Sequence, residues 1–250
     1  MKILVFVSKW VGNECLRTLF SEFGNDDYLF IVSNPDADKI IELIQKHNHK
    51  YLILNQDTIK FINSHSKFHF DWLLNLWGAY IFNEEILLKA KKSLNIHPSF
   101  LPFDRGRDPI VWAIRKSHPA GVTLHQITEG VDEGPIIFQE EVKYNFPENG
   151  RVLYDRVIER CYKLFGEQWP KIRNSKEKPI TQKKVNVINY RKNLIDDRII
   201  NLDQNEPNWT VISKILAHDF DKDYCSLISY QGKIYDAKLV IKERIGDHEE

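Results

Sequence analysis

The sequence predicts an α/β fold: a Rossmann-like, mostly parallel sheet with flanking helices, followed by a small C-terminal region with a helix and a β-hairpin. Three observations carry the prediction. Compact apolar runs alternate with amphipathic stretches through the first sixty residues, a later strand-like run stops at a proline, and composition turns polar near residue 174. With 250 residues, 42% apolar and 28% charged, the chain can bury a full core and suits one larger domain, 1–173, plus a smaller region, 174–250.

Lys2–Val7 reads as a buried strand, Gly12 as the turn after it, and Asn13 as the cap of a helix through Phe23. Tyr28–Val32 is a second strand, Asn34-Pro35-Asp36 a turn, Lys39–His47 an amphipathic helix, and Tyr51–Leu54 a third strand. Such alternation implies right-handed βαβ crossovers. Asp71–Trp77 reads as another buried strand, and Asn83 as the cap of a short helix through Lys91. Ser93–His97 is strand-like and ends at Pro98, which lacks an N–H. Ile110–Lys116 is helix-like, Gly121–Gln126 and Ile136–Val142 read as neighbouring strands, and Asn149–Ile172 as a closing helix that ends or kinks at Pro170. Residues 174–193 suit a linker or a loop wrapping the surface, Trp209–Phe220 a helix, and Ser226–Ile241 a hairpin about Gln231-Gly232.

Composition also excludes. Lys plus Arg equals Asp plus Glu, 35 of each, so no global positive field draws the chain to nucleic acid or an anionic membrane. The apolar run at the N-terminus is too short for a signal segment or a span. Three widely spaced cysteines without a CxxC pattern argue against a disulfide framework, so the cytoplasm is the expected compartment. The first turn, Ser8-Lys9-Trp10-Val11-Gly12, matches neither GxGxxG nor GxxxxGK[ST]. No GxSxG elbow is present, and His47-x-His49 and His65-(x)3-His69 lack a nearby third ligand, so no metal is expected.

Period-two alternation turns Asn95 and His97 to one face at the end of a strand, where open α/β sheets build their sites. Asp132 lies in the later acidic loop with Glu129 and Glu133. An amide can hold an oxyanion, an imidazole can move a proton near neutral pH, and a carboxylate can orient that imidazole or take the proton. The set suits acyl transfer to an amine without a covalent intermediate. Read as residues alone, His97 equally suits a strand-end cap and Asn95 an edge amide bonded to backbone.

Ser93-Leu94-Asn95-Ile96-His97-Pro98-Ser99-Phe100-Leu101-Pro102, Arg105-Gly106-(x)2-Pro109, Gly121-Val122-Thr123-Leu124-His125 and Val131-Asp132-Glu133-Gly134-Pro135-Ile136-Ile137 together resemble the 10-formyltetrahydrofolate-dependent formyltransferases. The resemblance implies that Asn95 and His97 polarise a formyl group and stabilise its tetrahedral intermediate. It implies that Asp132 and His97 handle the proton leaving the amine. N10-formyltetrahydrofolate would be the formyl donor, with its pterin against backbone at Tyr80, Ile81 and Phe82 and the loop before Asp132; no metal is implied. Asn83 stands where the family often has Pro, and Phe100 where Leu is commoner.

Within that family the methionyl-tRNA branch carries a longer, basic C-terminal domain, whereas this chain is neutral, with little of the phosphate attraction that tRNA requires. The resemblance is greatest to the sugar N-formyltransferases, which implies a nucleotide-linked amino sugar such as dTDP-4-amino-4,6-dideoxyglucose as acceptor and a homodimer with the C-terminal hairpin or its neighbours at the interface. Lys9, Trp10, Arg105 and Arg107 are candidate substrate-binding residues, because they fall in loops on the expected active-site side. A methionyl-tRNA or other amine formyltransferase and a formyltetrahydrofolate hydrolase are the alternatives.

Overall fold

The period of two in the first strand divides the interior. In β1 (Lys2–Val7), Ile3, Val5 and Val7 enter the larger apolar cluster, and Leu4 and Phe6 enter a smaller one on the other face. A strand buried on both faces reads as a continuous apolar run, which is why it was legible. The computed structural model describes residues 1–65, 69–175, 178–185, 187–221 and 224–243.

Next come α1 (Lys9–Phe23), β2 (Asp27–Val32), α2 (Ala37–Lys46), β3 (Lys50–Ile53), α3 (Gln56–Ser64), β4 (Phe70–Leu76), α4 (Glu84–Leu87) and β5 (Ala90–His97). They are followed by α5 (Pro109–Lys116), β6 (Gly121–His125), β7 (Ile136–Glu141) and α6 (Gly150–Ile172). The seven strands lie in the order β3-β2-β1-β4-β5-β6-β7, parallel as far as β5, with β6 and β7 antiparallel. Strand order reverses between β1 and β4, which opens a crevice beyond their carboxyl ends.

Several boundaries differ from the sequence expectation. α1 begins at Lys9, with Ser8 at its N-cap, so Gly12 and Asn13 are helical rather than turn and cap. Gly12 is needed for contact: a Cβ there would come within 2.6 Å of Leu76 O and Val7 Cγ2. The helix α3 was missed; its signal is Asn55, whose side chain accepts from the Thr58 amide at 2.8 Å. α4 stops at Leu87, and residues expected to prolong it start β5 instead. α6 continues past Pro170 to Ile172.

Beyond α6 lie α7 (Arg191–Asp197), β8 (Ile199–Asn201), α8 (Asn208–Ala217), β9 (Ser226–Tyr230) and β10 (Lys233–Ala237). The last three strands form a separate sheet, β10-β9-β8. Gln231 and Gly232 have φ of 47° and 74°, the two positive values that a two-residue hairpin turn requires. α7 and β8 carried too few residues to show a period. Residues 176–177, 186, 222–223 and 244–250 of the expected C-terminal region lie outside the described residues. No helix among the described residues is long and apolar enough to cross a membrane.

Candidate active site

Sheet register builds the floor of the site. Asn75 on β4 lies beside Asn95 on β5, and Asn95 lies beside His125 on β6. Asn75 Nδ2 donates to Asn95 Oδ1 at 2.9 Å, and Asn95 Nδ2 is 2.9 Å from His125 Nε2. His125 Nδ1 is 2.7 Å from the Gln126 carbonyl, an acceptor, so Nδ1 carries the proton and Nε2 accepts from Asn95. The second hydrogen of Asn95 Nδ2 points toward Asp132 Oδ1, 3.4 Å away.

Two residues on from Asn95, His97 occupies the last position of β5 and is 6% exposed. The turn after it is pinned by Thr123, whose hydroxyl donates to Ser99 O at 2.7 Å and accepts from the Leu101 amide at 3.1 Å. His97 Nδ1 stands 3.5 Å from Asp132 Oδ1, while its buried Nε2 has no hydrogen-bond partner among the described residues. Burial lowers the His97 pKa below the usual 6.5, with Asp132 pulling the other way. The imidazole is therefore neutral at pH 7.

Asp132 arrives on a loop, in the left-handed region at φ 50°, which Asp tolerates. Its Oδ2 accepts from the Gly106 amide at 3.1 Å. Burial opposes its charge, but the facing His97 and His125 rings and the Gly106 amide prevail and hold the carboxyl at about 2. Arg105, 5% exposed, aims its guanidinium at main chain: Nε and Nη2 donate to Val131 O at 3.0 and 2.7 Å, and Nη1 donates to Val185 O at 2.9 Å. Its Nη2 also donates to Glu133 at 3.2 Å. Arg105, expected to bind substrate, thus directs these donors to the loop that carries Asp132 and to Val185. Gln182 Nε2 grips the same loop through Asp132 O at 3.0 Å and Gly134 O at 2.6 Å. Ile136 and Ile180 exchange two backbone bonds of 2.7 Å, and the Arg107 amide donates to Asn189 O at 2.8 Å, so Ile180 and Asn189 anchor against the strand and loop that frame the site.

The other expected residues spread around this centre. Lys9 and Trp10 line a groove of about 580 Å³ with Trp77, Tyr154 and Tyr162, and Trp10 packs edge-on against Tyr162 at 5.2 Å. Lys9 has its pKa lowered, first by burial and then by the Arg107 charge, with Arg191 adding to it. Arg107 is exposed, and Arg191, which the sequence reading passed over, bonds Asp108 at 2.8 Å. Three cations thus approach one mouth of the crevice. Tyr80 and Phe82 pack on Phe6 at 5.4 and 4.8 Å, whereas Ile81 is 78% exposed, and Ile127 joins Tyr80 against the smaller apolar cluster. His47 and His49 stack on Phe20 at 4.4 and 5.2 Å. Asn75, Gln182 and Arg191 carried no motif; His125 lay within one but without a role.

Residues 72–167 match the formyl transferase family. A dTDP-4-amino-4,6-dideoxyglucose formyltransferase of Mycobacterium bovis is 31% identical over 104 residues, 40% of this chain and 44% of that protein. The chain spans only 37–44% of the length of curated relatives that it matches. Among solved structures, a 4-N formyltransferase from Francisella tularensis superposes with a TM-score of 0.81 at 22% identity, over 97% of this chain and 98% of that one. An N-formyltransferase from Helicobacter canadensis, solved with folinic acid and dTDP-3-aminofucose, gives 0.69 at 18% identity, over 93% and 85%. The matched segment runs from β4 to α6 and contains Asn75, Asn95, His97, His125 and Asp132. Residues 72–167 of this chain thus match the formyl transferase family, and the chain shares the fold of the Francisella tularensis 4-N formyltransferase.

Proposed function

We propose that the protein is an N-formyltransferase that moves a formyl group from N10-formyltetrahydrofolate to the amine of a nucleotide-linked amino sugar. The observation that carries the reading is that Asn95 Nδ2 and His97 Nδ1 both lie within 3.5 Å of Asp132 Oδ1, with His97 Nε2 buried and unpartnered among the described residues. An orphaned ring nitrogen beside a carboxylate is a base awaiting a proton.

N10-formyltetrahydrofolate supplies, when bound, an activated formyl carbon. The residues present suit it: exposed Ile81 and the backbone beside it offer an apolar ledge, and Asn95 offers an N–H to the formyl oxygen. The 3.4 Å contact from Asn95 to Asp132 is long enough to be exchanged for a shorter bond as negative charge grows on that oxygen. His97 holds its proton on Nδ1 toward Asp132 and presents the Nε2 lone pair to the attacking amine. Asp132, ionised above about pH 2, steadies the imidazolium that results, and that proton would pass to N10 of the donor as its bond to the formyl carbon breaks.

For the acceptor, Lys9, Arg107 and Arg191 suit a diphosphate, and Trp10 with Tyr162 suits a planar base in the groove. The proposed acceptor is dTDP-4-amino-4,6-dideoxyglucose, the substrate named for the mycobacterial relative, and the proposed assembly is a homodimer through the β9–β10 hairpin. The test incubates the protein with N10-formyltetrahydrofolate and a panel of nucleotide-linked amino sugars, followed by mass spectrometry. One added formyl group on a sugar is the expected result. Formate release that ignores the sugar would instead establish a hydrolase, and no turnover at all would remove the reading. Light scattering on the eluting protein checks the dimer.

A further inference from the structure

Asn75 and His125, which the proposed chemistry does not itself employ, flank Asn95 in one row. Its directions are dictated from one end. Gln126 O can only accept, so the 2.7 Å contact puts the His125 proton on Nδ1 and leaves Nε2 as a lone pair. Across 2.9 Å that lone pair requires a donor, so Asn95 must turn its amide nitrogen toward β6 and its oxygen toward β4. There the oxygen requires a donor in turn, and Asn75 Nδ2 provides one at 2.9 Å. Reversing any one amide would set two donors or two acceptors against each other.

We infer that Asn75 is a positioning residue which locks the Asn95 amide so that its second N–H, and not its oxygen, faces the reacting centre. The alternative orientation would point the Asn95 oxygen at a developing oxyanion, turning an attraction into a repulsion. Asn75 suits the task because adjacent parallel strands put it level with Asn95, and because Gly78, lacking a Cβ, leaves room for Asn75 Oδ1 beside it: a Cβ on Gly78 would lie 2.6 Å from that oxygen. The inference rests on the proposed formyl transfer for its kinetic consequence, but its structural half stands apart from turnover.

The experiment therefore has two arms on Asn75→Asp and Asn75→Leu. In the first, ¹⁵N-resolved NMR of the resting protein reads the protonation of His125. Wild type and Asn75→Leu are expected to show the Nδ1–H form. Ionised Asn75→Asp offers only acceptors, so the Asn95 amide reverses and His125 must take a proton on Nε2 in addition to the one on Nδ1 that Gln126 O requires. In the second arm, kcat is expected to fall about a hundredfold in Asn75→Asp and about tenfold in Asn75→Leu, with KM for donor and acceptor within about twofold, since an oxyanion donor acts in the transition state. An unchanged His125 protonation in Asn75→Asp, or a loss that appears in KM rather than kcat, would overturn the inference. If wild type turned over no acceptor, the proposed reaction would fall while the NMR arm still decided the role of Asn75. If Asn75→Leu failed to fold, the near-isosteric Asn75→Asp would decide both arms.

Discussion

Asn95 and Asp132 meet at 3.4 Å, yet the chain brings them there by opposite means. Asn95 and His97 sit on β5, where hydrogen-bonded neighbours on both sides fix their height and alternation fixes their face. Asp132 rides a loop in a left-handed conformation, held by Gly106, Arg105 and Gln182 from elsewhere in the sequence. A residue on a strand inherits its position from the sheet. A residue on a loop keeps its position only as long as its long-range bonds survive. Variants of the two halves should therefore fail differently.

The largest effects fall on the reacting groups and should be alike in both halves. His97→Ala and Asp132→Asn are each expected to lower kcat about a thousandfold, within the range for proton-transfer groups, with KM and thermal stability nearly unchanged. Steady-state kinetics beside calorimetry checks this, and near-normal turnover in either variant would remove the assignment of that residue.

The supports should separate the halves. Arg105→Met strips Val131 O and Val185 O of their donor, and a catalytic group displaced by about 1 Å costs about a hundredfold in rate. Arg105→Lys should recover part of that loss, since an ammonium reaches fewer of these carbonyls than a planar fork. Hydrogen exchange in the amides of 129–134 should quicken in Arg105→Met while β5 stays protected. Equal exchange in the two regions would mean that the loop holds itself. Gln182→Leu removes one of three grips and should lower kcat about tenfold, again with the quickening confined to the loop.

That contrast also explains what the sequence could show. The strands were legible because burial on both faces forces unbroken apolar runs, and His97 because Pro98 marks where its strand ends. Asn95 and His97 could be assigned to one face by counting. Nothing local connects Asp132 to them; the spaced motif did so, through a family likeness. Arg105 looked like a phosphate ligand because a loop arginine shows its charge but not its direction, and only the fold reveals Val131 O and Val185 O in its path. Gln182 and Arg191 lay in a stretch read as linker, where a polar residue that braces a site and one that is merely solvated have the same composition. Helix α3 was overlooked because its nine residues show little more than two turns.

The smallest expected effect probes the contact between His97 and Asp132 across the two halves. His97 is neutral at pH 7 because burial disfavours its charge, and Asp132 is the largest influence opposing that shift. The acid limb of kcat should thus lie below pH 6.5, since protonation of His97 removes the Nε2 lone pair only once the pH falls through its lowered pKa. Replacing Asp132 by Asn deletes the charge that favours the imidazolium, so in the residual activity of that variant the limb should move lower still. The opposite movement would show that the 3.5 Å contact does not govern His97 during turnover, and an acid limb at or above 6.5 in wild type would show that the imidazole works hydrated, outside its buried position at the end of β5.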